Sequence, residues 1–299
     1  MDEEMMFEMS ADSLEDLPSV GEMFDLTGKV AVVTGTIGLA LSVIYRLASC
    51  GAKVVFGGRR ESIGQMTEER LREMGCDVRF KRVDVSSVED CKAFVAFAEE
   101  VYGTVDIVVP VAACFFARAF VDIKEEEYDR IVDVDQKGQY FIVQQAARSM
   151  IRGGKGGKVV TVASVAHRAD DMPKLGMMTA YNTAKAGVVG MTRGIARELK
   201  QYGINVNCVA PGGMVTPGAI FNNTSTEALY GPEWTRYVTE YGSGVPVAPN
   251  PDEVARMILA MCTPISDFMY GQLIEVDGGS QYTFQDKPWS YTMEGGVHA

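Results

Sequence analysis

Tyr181 and Lys185 stand four residues apart in Tyr181-Asn-Thr-Ala-Lys185, a spacing that puts a phenol and an ammonium on one helix face about one turn apart. A phenol is a poor base at neutral pH. Its reference pKa is about 10, so bringing it near 7 takes roughly 4 kcal/mol of selective phenolate stabilisation, and an adjacent ammonium has the right sign to supply it. Ser164 ends the β-branched run that precedes this helix, where its hydroxyl can hold a substrate oxygen while Tyr181 gives or takes a proton. The tyrosine-lysine spacing by itself recurs in many helices as an exposed pair. The elements around it must therefore decide its meaning.

Short β-branched runs alternate with helical patterns from residue 30 onward, the pattern of a parallel sheet covered by crossover helices. Val30 to Thr34, Lys53 to Phe56, Val78 to Val85, Val105 to Val111, Lys158 to Ser164, Ile204 to Ala210 and Gln272 to Val276 are the candidate strands. Helices are predicted over Ile37 to Cys50, Ile123 to Met150 and Ala180 to Lys200. The expected fold is α/β, a Rossmann-type doubly wound parallel seven-stranded sheet flanked by helices. Residues 24–280 form its single domain, with a substrate lobe around 214–248. An acidic arm (1–23) and a tail (281–299) flank it, and their aromatic residues Phe7, Phe24, Tyr282, Phe284, Trp289 and Tyr291 suggest docking on a neighbouring subunit.

The 299 residues are 47% apolar, enough for a continuous core, and carry a net charge of -12. Such a chain has no basic surplus to neutralise phosphates, which argues against nucleic acid as a partner. No stretch is long and apolar enough to span a bilayer, and acids occupy the start where a signal peptide needs bases; the expected location is the cytoplasm. Six cysteines without CxxC spacing read as buried reduced thiols. With two histidines in the chain and no carboxylate cluster beside them, no metal is expected, and His167 reads as an ordinary loop residue.

Ser164, Tyr181-Lys185 and Asn207-Cys-Val-Ala-Pro211-Gly212 follow one another at the ends of successive elements, and in this arrangement the chain resembles the short-chain dehydrogenase/reductase family from about Leu26 to Gly279. Asp84-Val85, Thr216 and Val276-Asp277-Gly278-Gly279 extend the likeness. The resemblance implies hydride transfer between NAD or NADP and a carbonyl or alcohol. It implies that Asp84 and Val85 contact adenine, Thr216 the nicotinamide amide, and Tyr181 and Lys185 the nicotinamide ribose. Pro211 and Gly212 shape a loop at the strand ends where dinucleotides lie. Asp135 matches the family's frequent catalytic asparagine.

The family's phosphate loop, TGxxxGxG, appears one residue short as Thr34-Gly35-Thr36-Ile37-Gly38-Leu39-Ala40. Gly35 can still make the tight turn and Gly38 can still admit pyrophosphate to the helix amino terminus. Pro110-Val111-Ala112-Ala113 replaces Asn-Asn-Ala-Gly, losing polar side chains that brace the sheet. At the end of the second strand Gly57-Gly58-Arg59-Arg60 offers no acid for a ribose 2'-hydroxyl, and Arg59 suits a 2'-phosphate, which leans the cofactor toward NADP. The losses also admit a second reading, a cofactor-free subunit that scaffolds an active partner.

Met172, Leu175, Met177, Met178, Phe115 and Phe116 would border an apolar substrate, a bulky ketone or alcohol such as a steroid; ordinary core or interface filler is the alternative for the methionines. Small residues on the two long helices, Ala146, Ala147, Ala186, Gly187 and Gly190, suggest a homodimer or homotetramer.

Overall fold

The computed structural model describes residues 5–8, 17–169, 177–214, 216–217, 227–228 and 250–279. Seven strands form one sheet in the order β3-β2-β1-β4-β5-β6-β7, with every neighbouring pair parallel. They are β1 (Val30–Thr34), β2 (Lys53–Gly58), β3 (Val78–Arg82), β4 (Ile107–Pro110), β5 (Gly157–Val162), β6 (Ile204–Pro211) and β7 (Leu273–Val276). All seven expected strands are present. Helix α1 (Val20–Phe24) precedes them, and between them run α2 (Leu39–Ser49), α3 (Glu61–Glu73), α4 (Val88–Tyr102), α5 (Glu125–Val132), α6 (Gly138–Gly153), α7 (Thr179–Leu199) and α8 (Pro251–Cys262).

Every residue of β1 is buried, because helices cover both faces of the sheet and a strand between them has no polar side. Alternate residues feed opposite cores. Ala31, Val33, Val54 and Phe56 pack with Val43, Leu47, Val254 and Ile258, while Val32, Val55 and Val108 pack with Phe94, Ile142 and Val143. On the first face Arg46 of α2 grips Asp252 of α8 through two bonds of 2.7 and 2.6 Å.

The helix expected over Ile123 to Met150 is interrupted. Between α5 and α6, Asp133–Lys137 forms a π-helical turn in which Gly138 N–H bonds Asp133 O. An extra residue in a helical turn rotates everything that follows it. The turn also lets Gly138 press on the end of the sheet, since a side chain there would meet Val85 O at 2.8 Å. The third strand ends at Arg82 rather than Val85; Asp84 instead turns the chain, its Oδ1 accepting from Ser86 N–H and Oγ–H.

Candidate active site

The carboxyl ends of β1, β4, β5 and β6 lie side by side where the strand order reverses, the place at which a doubly wound sheet opens a ligand crevice. Asp135 and Lys185 are both buried there, with Asp135 Oδ1 3.0 Å from Lys185 Nζ. Asp135 Oδ2 accepts the Cys114 N–H at 2.7 Å. Lys185 Nζ donates to Val162 O at 3.1 Å, so the last residue of β5 fixes the ammonium from the sheet side. Nζ lies 5.4 Å from the centroid of the half-buried Tyr181 ring. The Phe115 ring meets Tyr181 edge-on, centroids 5.1 Å apart.

Burial lifts the Asp135 carboxyl above its ordinary value, against the opposing pull of Lys185 and of the Cys114 N–H. Burial works to lower the Lys185 ammonium, but the charge of Asp135, with Tyr181 and Cys208 adding to it, outweighs that and holds it above the usual lysine value. Lys185 therefore keeps its proton beyond the pH at which an ordinary lysine loses it.

Ser164 caps the short 3-10 turn Val165–Arg168, its Oγ accepting Ala166 N–H at 3.2 Å and donating to Pro211 O at 3.5 Å. That turn packs on α7, which brings Ser164, Tyr181 and Lys185 into one neighbourhood. Pro211 and Gly212 border the same crevice. Gly212 lets the chain pass Asp277 closely, since a Cβ there would lie 2.8 Å from Asp277 Cα. Gly212 N–H donates to Val276 O at 3.0 Å.

The shortened glycine loop still fits a dinucleotide. Gly35, at φ 109°, donates its N–H to Gly57 O at 2.6 Å, and Gly38, at φ 62°, is the N-cap of α2 with no side chain capping the helix. A bare helix amino terminus at the crevice is a cradle for phosphate. Ala40 is accommodated because residue 35 has no side chain; a Cβ on Gly35 would come within 2.6 Å of the Ala40 methyl. Thr216 stands beside Gly38, 3.4 Å from where a Cβ would be. Arg59 is exposed at the end of β2. Asp84 and Val85 lie between β3 and α4.

His167 Nε2 lies 2.9 Å from Glu275 Oε1, and Arg168 bonds the other oxygen of that carboxylate. One sequence expectation changes. Only Cys91, Cys208 and Cys262 are buried, whereas Cys50, Cys76 and Cys114 are half-buried, all six being free thiols. Phe116 packs with Tyr181 on Ala180 and Ala184. Met172, Leu175 and most of the segment 214–248 lie outside the described residues. One buried polar residue at the site went unread: Gln139, packed against Asp135 and Val162. Its signal was a glutamine on the helix stripe that also carries Ile142, Val143 and Ala146. Among the described residues no cluster of metal-binding side chains occurs, and no helix is long and apolar enough to cross a membrane.

A tyrosine beside a buried ammonium, at the strand-end crevice of a doubly wound sheet, marks a class of oxidoreductases that pass hydride between a dinucleotide and a carbon-oxygen centre. The family described as enoyl-(acyl carrier protein) reductase matches residues 33–281. The chain is 31% identical to a sorbitol dehydrogenase of Cereibacter sphaeroides over 263 residues, 85% of this chain and 98% of that one. It is also 31% identical over 258 residues to dehydrogenase/reductase SDR family member 4 of Oryctolagus cuniculus, covering 85% and 94% of the two chains. An actinorhodin polyketide ketoreductase solved with NADPH superposes with a TM-score of 0.77 at 29% identity, over 84% of this chain and 97% of that one. This chain belongs to the short-chain dehydrogenase/reductase family, as an oxidoreductase of its nicotinamide-dependent alcohol dehydrogenase and ketone reductase type.

Proposed function

We propose that this protein interconverts a ketone and a secondary alcohol, with Tyr181 as the acid/base and NADP as the preferred cofactor. The observation that carries the reading is the buried Lys185 ammonium held 5.4 Å from the Tyr181 ring by Val162 O. In the reducing direction Ser164 Oγ–H donates to the substrate carbonyl oxygen and Tyr181 Oη–H gives that oxygen its proton. Lys185 stabilises the phenolate left behind. Bound nicotinamide supplies or accepts the hydride. Gly35 and Gly38 would hold its pyrophosphate, Asp84 and Val85 its adenine, Pro211, Gly212 and Thr216 its nicotinamide end, and Arg59 a 2'-phosphate. Tyr181 and Lys185 would also hold the nicotinamide ribose.

The substrate we infer is apolar and bulky, of steroid or polycyclic size. Phe115 lies edge-on against the reacting phenol, and Met177 and Met178 precede α7 as adaptable neighbours. A second copy of the chain would dock along α7 through the exposed small residues Ala186 and Gly190, whereas Ala146 and Ala147 are buried within this chain and cannot serve.

The test is a fluorescence titration with NADPH and NADH, followed by alcohol oxidation with the parent and Tyr181→Phe. Micromolar NADPH binding with turnover that falls by about 100- to 10,000-fold in the variant is the expected result. Near-normal turnover in Tyr181→Phe would overturn the mechanism, and absence of binding by either cofactor would favour the scaffolding reading.

A further inference from the structure

Strand β5 reaches further into the site than its neighbour β4. Their pairing stops at Val108↔Val159, and β4 ends at Pro110, which has no N–H to give. On the other side β5 stays paired with β6 up to Val162↔Val209. Ala163 N–H donates to Val209 O, so by the alternation of a strand the N–H and C=O of Val162 face the β4 side. Among the described residues no strand meets them there. Gln139 does: its Oε1 accepts the Val162 N–H at 3.1 Å and its Nε2 donates to Val162 O at 2.8 Å. The two bonds close a ring on one residue, which also settles which way the amide points. The second Nε2 hydrogen goes to Asp135 O at 3.0 Å.

Val162 O is the same atom that accepts from Lys185 Nζ, and Asp135 is the residue that pairs with that ammonium. One buried amide thus ties the strand leading to Ser164, the π turn carrying Asp135 and the carbonyl that anchors Lys185. We propose that Gln139 is a positioning residue for the Tyr181–Lys185 pair, doing with a side chain what a continued β4 strand would do with its backbone. The proposal rests on the reading of Tyr181 as acid/base.

Without the amide, Val162 O is no longer tethered and Lys185 leans toward Asp135, so the field at the phenol weakens and its ionisation moves to higher pH. The titratable groups that face Lys185 are Asp135 from the π turn, Tyr181 from its own helix and Cys208 from β6. None of them is altered by substitution at 139.

The experiment compares Gln139→Leu and Gln139→Glu with the parent. Ionisation of Tyr181 is read without turnover, as the alkaline ultraviolet difference spectrum that disappears when Tyr181→Phe is added to each protein. Gln139→Leu is expected to move that transition upward by about half to one pH unit. It should lower kcat for alcohol oxidation by about tenfold near neutrality while KM stays within about twofold. In Gln139→Glu the new carboxyl, protonated in this buried place, accepts from Val162 N–H and donates to Val162 O, and it is expected to restore the neutral-pH transition and kcat. Superimposable Tyr181 titrations for the parent and Gln139→Leu would overturn the proposal and leave Gln139 as core filling. If the leucine protein fails to fold, Gln139→Met takes its place, and a Tyr181 titration superimposable on the parent's overturns the proposal equally. A parent that binds no cofactor sinks the functional reading alone, because the phenol titration needs none.

Discussion

Asp135 Oδ1 rests 3.0 Å from Lys185 Nζ in a place where neither side chain meets solvent. A neutral asparagine at residue 135 would leave the ammonium field at Tyr181 undiminished. The carboxylate, once ionised, cancels part of it. The site therefore holds its proton carrier in tension: Lys185 favours the phenolate and Asp135 opposes it.

Asp135→Asn is expected to move the pH-rate profile of alcohol oxidation toward lower pH by about one unit, since a single partly screened charge at this range is worth about 1.4 kcal/mol. The direction follows from the charges: removing an anion beside Lys185 leaves more positive potential at the phenol and lowers its pKa. Superimposable profiles for parent and variant would show that Tyr181 does not sense Asp135.

Arg59 stands exposed just after Gly57 and Gly58 at the end of β2, where an acid would be needed to hold a ribose 2'-hydroxyl. Arg59→Ala is expected to weaken NADPH binding by about ten- to a hundredfold through loss of a charged hydrogen bond to the 2'-phosphate, with NADH binding little changed. Equal losses for both cofactors in a fluorescence titration would place the 2'-phosphate elsewhere.

Gly35→Ala meets two obstacles, a φ of 109° and the Ala40 methyl 2.6 Å from the new Cβ. We expect a loss of about 1–3 kcal/mol in urea unfolding together with weaker NADPH binding. Adding Ala40→Gly should recover the steric share and leave the backbone share. No recovery at all would mean that the contact with Ala40 contributes nothing.

Arg46 and Asp252 clamp α2 to α8. The hydrogen bond from Arg46 holds the Asp252 carboxyl below its usual range, against the opposing effect of burial. A carboxylate with a depressed folded pKa stabilises the fold above its unfolded value of about 3.9, and that stabilisation is lost as pH falls through the lower folded value. A double-mutant cycle of Arg46→Met with Asp252→Asn is expected to give a coupling of about 0.5–1 kcal/mol at neutral pH, shrinking in strong acid. A coupling that persists unchanged in acid would contradict the assignment.

Much of the site was legible from the chain itself. Tyr181 and Lys185 share a helix face by spacing alone, and Ser164 and Pro211-Gly212 sit at strand ends because β-branched runs stop there. The break in the long helix was not legible. Residues 133–137, DVDQK, carry no proline or glycine to announce a π turn, and the close seat of Gly138 against Val85 that goes with it joins residues of separate elements. His167 likewise showed no partner, because Glu275 comes from the far end of the chain.

By itself the sequence determined the elements and their faces, since hydrophobic period and local spacing are properties of neighbouring residues. It determined the parallel sheet as well, through the alternation of strand and helix. Only the tertiary structure decided that Asp135 would pair with Lys185 and that Gln139 would complete the unpaired edge of β5. Those contacts join residues on different elements, and a buried polar group takes whichever partner the packed strands and helices bring within hydrogen-bond reach.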